Sequence, residues 1–340
     1  MAVLSMSRAI KTAVAATLTL LLAYLSSPET TRTAAHLVKT GYKSTPKVKA
    51  VTFATPSSEQ LCTLIRTALS NDIEIKVLGL KMEDSPNVGS KNAIVLKPQQ
   101  YLLESQKQAQ LEDADTLFVY LDGFDTFFQD TRSSIRKAFD TLDHAVVWSA
   151  EKNCHPPKLK KNFRKPEDVM RAYRNSKKPK YKAGKNASRA PVYLNSGVML
   201  CQTHDCYKWF NYSINAVHPK FQWDDQFLAQ KIHLSKVYSS TIDYFSKVSQ
   251  SVHPFDTFFN SDEMSFVDGQ YKNTITGTVP GILHFPGTSR RQFTLYNDFE
   301  RRLRYDEKKI KTGQVELEEG VFTYEQICGQ LSDDVKSRLV

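Results

Sequence analysis

Thr116-Leu117-Phe118-Val119-Tyr120-Leu121-Asp122-Gly123-Phe124-Asp125 carries an apolar run of strand-forming residues to two carboxylates and a glycine. A continuous run of this kind, rich in Val and aromatic residues, suits a strand buried on both faces, as in a parallel sheet. In open α/β sheets the ligand crevice lies at the carboxyl ends of such strands, which puts Asp122 and Asp125 where a ligand would sit. Two carboxylates at one strand end repel each other unless something positive lies between them, and a hard divalent cation with oxygen ligands fits that need. The plainer alternative for a D-x-x-D in this position is a pair of loop caps.

Working outward, strand and helix patterns alternate. Upstream, residues 49–55 form a first strand ending in a small-residue turn, and Ser57-Ser58-Glu59-Gln60 offers a capping box before Leu61, Leu64, Ile65 and Leu69 at helical spacing. Residues 73–78 alternate as a second strand, and Pro98 is expected to begin a helix through Leu111. Downstream come a helix near 133–142 and a strand at 145–149. That repetition marks an α/β fold with a largely parallel sheet and helices on both faces. Residues 191–200 resume the core, and Asn195-Ser196-Gly197 interrupts their apolar run, as a bulge or a close backbone approach does. Asp224-Asp225-Gln226 precedes Phe227, Leu228 and Ile232 on one helical face, so either aspartate is a candidate helix cap. His284 ends a short apolar strand before a turn, where a lone histidine is commonly structural.

Composition sets the outer bounds. With 340 residues, 41% apolar and 24% charged, the chain is a folded globular protein with room for one large α/β domain or two small ones. A net charge of +10 first suggests nucleic acid or an acidic surface. The excess is local, however: residues 156–190 hold thirteen lysines and arginines against Glu167 and Asp168. No nucleic-acid partner is expected, and the 156–190 stretch reads as a basic surface insertion, with a helix near 166–176. The five cysteines lack zinc-ligand spacing, their odd number leaves at least one thiol free, and Cys201 and Cys206 are a candidate local bridge. Arg8 and Lys11 precede an uncharged stretch at 12–25, which reads as a signal peptide or a type II signal anchor over residues 1–25. Asn186 and Asn211 head glycosylation sequons, compatible with a lumenal domain. The expected organisation is that leader, a polar stem at 26–46, a domain at 47–315 and a C-terminal tail at 316–340.

Six of these pieces, in their order, resemble the glycosyltransferase domain of the procollagen lysyl hydroxylases. They are Val51-Thr52-Phe53-Ala54-Thr55, Ile75 through Leu80, Phe118 through Asp125, Tyr193-Leu194-Asn195-Ser196-Gly197, Asp224-Asp225-Gln226, and His284-x-x-Gly287-x-x-Arg290. The resemblance spans roughly residues 47 to 295 and implies a GT-A fold that uses a UDP-sugar and a divalent cation, usually manganese. It puts Asp122 and Asp125 on the family's metal motif, with His284 completing the set. It puts Asp224 and Asp225 on the sugar side of the pocket, with Asp225 the candidate catalytic carboxylate and Asp224 fixing sugar hydroxyls, and it puts Asn195 beside the donor sugar. Ala54 and Thr55 fall where the nucleoside sits, Lys91 near a phosphate, and Gly287 and Arg290 on the loop that closes over the diphosphate. Arg290 replaces the family's lysine, and the family's longer acidic run is reduced here to two aspartates.

The activity so implied is transfer of a hexose, glucose or galactose, to a hydroxyl of a protein or glycan acceptor in the lumen of the Golgi or endoplasmic reticulum, and the basic 156–190 stretch adds the expectation of an acidic acceptor or an anionic membrane surface. Two other classes use the same features. A metal-dependent phosphohydrolase would turn over a UDP-sugar without an acceptor. A non-catalytic polyanion-binding protein would bind heparin-like polymers without manganese.

Overall fold

Strand β1 (Val48–Phe53) pairs in parallel with β2 (Glu74–Leu78) on one side and with β3 (Leu117–Asp122) on the other. Helices α1 (Glu59–Ser70), α2 (Lys91–Leu111) and α3 (Arg132–Asp140) alternate with these strands. The computed structural model describes residues 47–54, 58–80, 91–111, 115–175, 190–216, 224–252, 264–287 and 290–329. The leader at 12–25, the stem at 26–46 and the sequon at Asn186 lie outside them. No helix among the described residues is long and apolar enough to cross a membrane.

The continuous apolar run of β3 is explained by two cores, one on each face. Leu117, Val119 and Leu121 point into a core closed by Leu61, Leu64 and Ile65 of α1 and by Ile135 and Phe139 of α3. Phe118 and Tyr120 point the other way, into a core with Tyr101 and Leu102 of α2. Alternate residues of one strand therefore feed opposite cores, so every position is apolar.

The next elements are β4 (Thr126–Phe128), β5 (Val146–Glu151), a 3-10 helix at Pro157–Asn162, α4 (Pro166–Asn175), β6 (Tyr193–Gln202), α5 (Thr203–Ala216) and α6 (Asp225–Ser235). They are followed by β7 (Ser240–Ile242), β8 (Ser249–Ser251), β9 (Met264–Val267), β10 (Gln270–Asn273), β11 (Ile282–His284), α7 (Arg290–Glu300), α8 (Glu307–Thr312), β12 (Gln314–Leu317) and β13 (Gly320–Thr323). The main sheet has eight strands in the order β13-β12-β2-β1-β3-β6-β5-β7. It is mostly parallel, with β6 antiparallel to both of its neighbours and β13 antiparallel to β12. A small sheet β4-β11-β8 stands beside it. The chain passes from β1 to β2 on one side and then to β3 on the other, so the switch point falls at the carboxyl ends of β1 and β3. Those ends are Phe53, with Ala54 just after it, and Asp122.

Three expectations need correction. Helix α2 starts at Lys91, not Pro98, and carries the proline in its interior. The 156–190 stretch is not wholly a surface insertion, because Phe163, Val169 and Met170 are buried in the core while residues 176–189 lie outside the described set. Residues from 316 on do not begin a tail. They continue the sheet through β12 and β13, and Cys328 is bonded to Cys62 of α1. Cys201–Cys206 is a second disulfide, and Cys154 is the free thiol.

Glu316 of β12 explains why a polar segment joins a buried edge. Its carboxylate accepts from Lys49 Nζ at 2.8 Å and from Lys76 Nζ at 2.5 Å, two lysines that β1 and β2 bury. Partial burial works against the Glu316 carboxylate, but the two ammoniums outweigh it and hold its pKa below the usual 4.5. Glu316→Gln should destabilise the fold by about 1 kcal/mol, a modest value because the side chain is 35% exposed and screened. A depressed carboxylate pKa contributes stability above its unfolded value and loses it as pH falls through the folded one. The difference in Tm between Glu316→Gln and wild type should thus be full at neutral pH and shrink as the pH falls below the ordinary carboxylate value of 4.5.

Candidate active site

The site is assembled by a pairing of short strands. Past Asp122 the chain turns through Gly123, where a Cβ would come within 2.9 Å of Thr52 Oγ1 and 3.1 Å of the Phe53 carbonyl. The turn is fixed by Thr126 Oγ1, which donates to the Asp122 carbonyl, and by Phe285 N–H, which donates to the Asp125 carbonyl at 2.8 Å. Strand β4 then runs antiparallel to β11 with His284 opposite Thr126. This register carries His284 to the two aspartates.

His284 Nε2 lies 3.5 Å from Asp122 Oδ2 and 3.4 Å from Asp125 Oδ1. The three offer ligand atoms within 4.8 Å of one another. His284 is 1% exposed, and neither of its ring nitrogens has a hydrogen-bond partner; nor has the buried Asp125 Oδ1. Burial alone would push the imidazole pKa down, but Asp125 and Asp122 outweigh it and raise it to about 10. Burial raises the Asp125 pKa despite the opposing pull of His284. Two carboxylates and an imidazole, close together and otherwise unsatisfied, are a fitting donor set for a divalent cation.

Strand β6 supplies the opposite wall. Trp148 of β5 pairs with Met199, yet the next residue, Ser149, pairs with Asn195, so β6 bulges by three residues at Ser196, Gly197 and Val198. Asn195 pins the bulge: its Oδ1 accepts from Gly197 N–H at 2.8 Å, and its Nδ2 donates to Glu151 Oε2 at 2.9 Å. At Gly197 a Cβ would collide with His284 Cε1, and would come within 2.6 Å of His284 Nε2 and 2.7 Å of Asp122 Oδ2. The bulge seen in the sequence is thus a close approach to the triad.

Helix α6 closes the third side. Asp224 Oδ1 caps it, accepting from Phe227 N–H at 2.8 Å, so Asp224 is the cap and Asp225 the first helical residue. Asp225 Oδ1 accepts from Gln226 N–H at 2.8 Å. Burial, with the Asp122 charge adding to it, pushes the Asp225 carboxyl up to about 6. Gln226 and Gln230 both donate to the His155 carbonyl, at 2.7 and 2.9 Å, which ties α6 to the end of β5.

A cleft of about 350 Å³ unites these parts. Asp122, Asp125, Asn195, Asp224, Asp225, His284 and Gly287 line it, so most of the residues read from the sequence meet in one place. Gly287 sits at φ 119°, a left-handed conformation that favours glycine. Ala54 follows β1 beside Gly123 and is buried, but it is not among the lining residues. Arg290 and Lys91 are the first residues of α7 and α2, and their side chains, like all of Thr55, lie outside the described set. The sequence reading missed His155, Ser196, Gln226 and Pro286 in the lining, and Glu151 behind Asn195. Glu151 had a signal, since it is a carboxylate ending an apolar strand, as Asp122 is. His155 had none, because what α6 grips is its backbone.

A family model described as the PLOD GT domain matches residues 44–309, well over half of the chain. No protein with a curated description matches the chain significantly.

The close approach at Gly197 gives a direct test. Gly197→Ala should displace His284 and Asp122, and a divalent cation taken by the triad should bind about 10- to 100-fold more weakly, the usual scale for a change just behind such ligands. Titration calorimetry with manganese checks this, and unaltered affinity in a folded variant refutes the placement.

Proposed function

The chain belongs to the PLOD glycosyltransferase-domain family, and from that premise we propose that it moves a hexose, glucose or galactose, from a UDP-sugar to a hydroxyl of a protein or glycan acceptor. The observation that carries the proposal is the meeting, in one cleft, of the Asp122–Asp125–His284 triad with the raised carboxyl of Asp225.

Asp122, Asp125 and His284 would hold a divalent cation, with manganese the first choice. The chemistry it would supply is stabilisation of the negative charge that develops on a diphosphate leaving group. Asp225 stands across the cleft, with a pKa suited to accepting the proton of an attacking hydroxyl or steadying an oxocarbenium-like sugar. Asp224 fixes the start of α6 and so the position of Asp225. Asn195, locked between Glu151 and Gly197, borders the place assigned to the donor sugar. The turn at Gly287 and the start of α7 at Arg290 are assigned to the diphosphate, Ala54 and Thr55 to the nucleoside, and Lys91 to a phosphate.

The disulfides Cys62–Cys328 and Cys201–Cys206 support an oxidising compartment, hence the lumen of the Golgi or endoplasmic reticulum. The stretch at 12–25 is assigned as the leader or type II anchor that delivers the domain there.

The deciding experiment is a screen of UDP-sugars with manganese, reading UDP release with and without hydroxyl-bearing acceptors. Release that rises with acceptor supports transfer, and release indifferent to every acceptor points to hydrolysis. In the same assay Asp225→Asn should lower turnover by about 10²-fold or more while sparing UDP binding. With Asp225 as base, wild-type turnover should rise with pH through about 6, and Asp225→Asn should lose that limb. Turnover within a few-fold of wild type would make Asp225 a structural residue. For the triad, Asp122→Ala should abolish the tightening of UDP by manganese in calorimetry. His284→Ala should weaken it less, because a neutral ligand rather than a charge is lost.

A further inference from the structure

Deepening the transferase reading, on which it rests, we infer that the 3-10 helix Pro157–Asn162 and the segment after it to Lys165, docked on the core through Phe163 and α4, form a fixed cationic platform that holds an acidic polypeptide stretch of the acceptor beside the cleft.

The platform is anchored from beneath. Phe163, Val169 and Met170 are buried in the core, Leu159 packs against it, and the Phe163 ring meets Tyr193 edge-on at 5.5 Å. The charged side chains face outward. Lys158, Lys160, Lys161, Arg164, Lys165 and Arg171 are exposed. Of the two acids on this stretch, Asp168 is paired with Arg171 at 3.6 Å. Arg164 lies over the Tyr244 ring, 5.3 Å from its centroid. Among the described residues, no acid pairs with Lys158, Lys160, Lys161 or Lys165. These ammoniums repel one another in the free protein, and an anionic ligand relieves that repulsion. Because Leu159, partly buried, and Phe163, buried, tie this segment to the core, the lysines stay together at less ordering cost than on a loose loop.

Its position links the platform to the reaction. The 3-10 helix starts two residues after His155, which lines the cleft and is gripped by Gln226 and Gln230 of α6. Lys158 is the third residue after His155, so along the chain it stands within about 11 Å of the cleft wall. The six-residue 3-10 helix rises about 12 Å, the span of three to four extended residues, which suits a strand of polypeptide running up to the site. Lysine supplies point charges that accept carboxylates in many geometries, so the acidic side chains of such a strand need not meet the platform in one exact register. Four of the six exposed cations are lysines.

The test uses the full chain and a short fluorescein-labelled peptide alternating Glu and Ser, read by anisotropy without UDP-sugar. A variant carrying Lys158→Gln, Lys160→Gln, Lys161→Gln and Lys165→Gln should bind the peptide at least about tenfold more weakly at low salt. It should also lose most of the salt dependence seen between about 0.05 and 0.3 M. Thermal unfolding shows that the variant is folded. As a control, Lys308→Gln with Lys311→Gln, exposed cations of α8, should leave the affinity within about twofold. Equal losses in both variants would reduce the effect to net charge and overturn the inference. So would an unchanged affinity in the platform variant. Heparin or phosphatidylserine vesicles that bind through these lysines while the peptide does not would also overturn it, assigning the surface to a polysaccharide or a membrane. UDP release is measured separately on the wild type, so failure of the transferase reading and failure of the platform are distinguishable.

Discussion

A nearly fully buried imidazole flanked by two carboxylates, with a third across the cleft, is the constraint on which the site depends. Taking such groups out of water costs several kcal/mol per charge unless their mutual geometry is held closely. Most of the neighbouring architecture supplies that hold through the backbone. The antiparallel register of β4 and β11 sets His284 opposite Thr126. The carbonyls of Asp122 and Asp125 are both engaged, so the turn that carries the carboxylates is fixed. The bulge of β6 brings a residue without a side chain against the triad, and Glu151 holds that bulge through Asn195. A one-residue slip in any of these pairings would turn a ligand toward the wrong face.

The large features of the fold were legible because they rest on periodicity. The apolar run ending at Asp122, the alternation at 73–78 and the helical spacing after Ser58 all report burial directly. Ser58 does cap α1, accepting from Leu61 N–H at 3.1 Å. The D-x-x-D stood out because it follows a strand too apolar to be anything but interior. Less legible was whatever depends on partners distant in the chain. The β4–β11 pair is three residues on each side, too short to leave a pattern. Gly197 announced a bulge, but nothing in the sequence said what the bulge would touch.

The misreadings share one cause: local composition outweighed sparse apolar anchors. Pro98 suggests a helix start, yet α2 begins at Lys91. The lysines of 156–190 dominate the count, while Phe163, Val169 and Met170 are few but sufficient to dock the first half of the stretch. In β12, Val315 is the buried apolar residue, and Glu316 reads as a solvent residue until its two buried lysine partners are known.

The bond between Cys62 and Cys328 joins residues 266 positions apart. A ribosome adding about 5–20 residues per second leaves Cys62 without its partner for some tens of seconds. Cys206 follows Cys201 by five positions, so that pair can close almost as soon as it meets an oxidant. The order of oxidation is therefore written into the spacing, with the local bond first and the long-range one last. Until then α1 carries a thiol that must be kept from Cys154, the cysteine left over at the end. Burying Cys62 early against β1 and β2 would protect it from that wrong partner. The mature bond then joins the first helix of the domain to the segment just beyond β13, and forms only on a chain whose far edge strands have emerged.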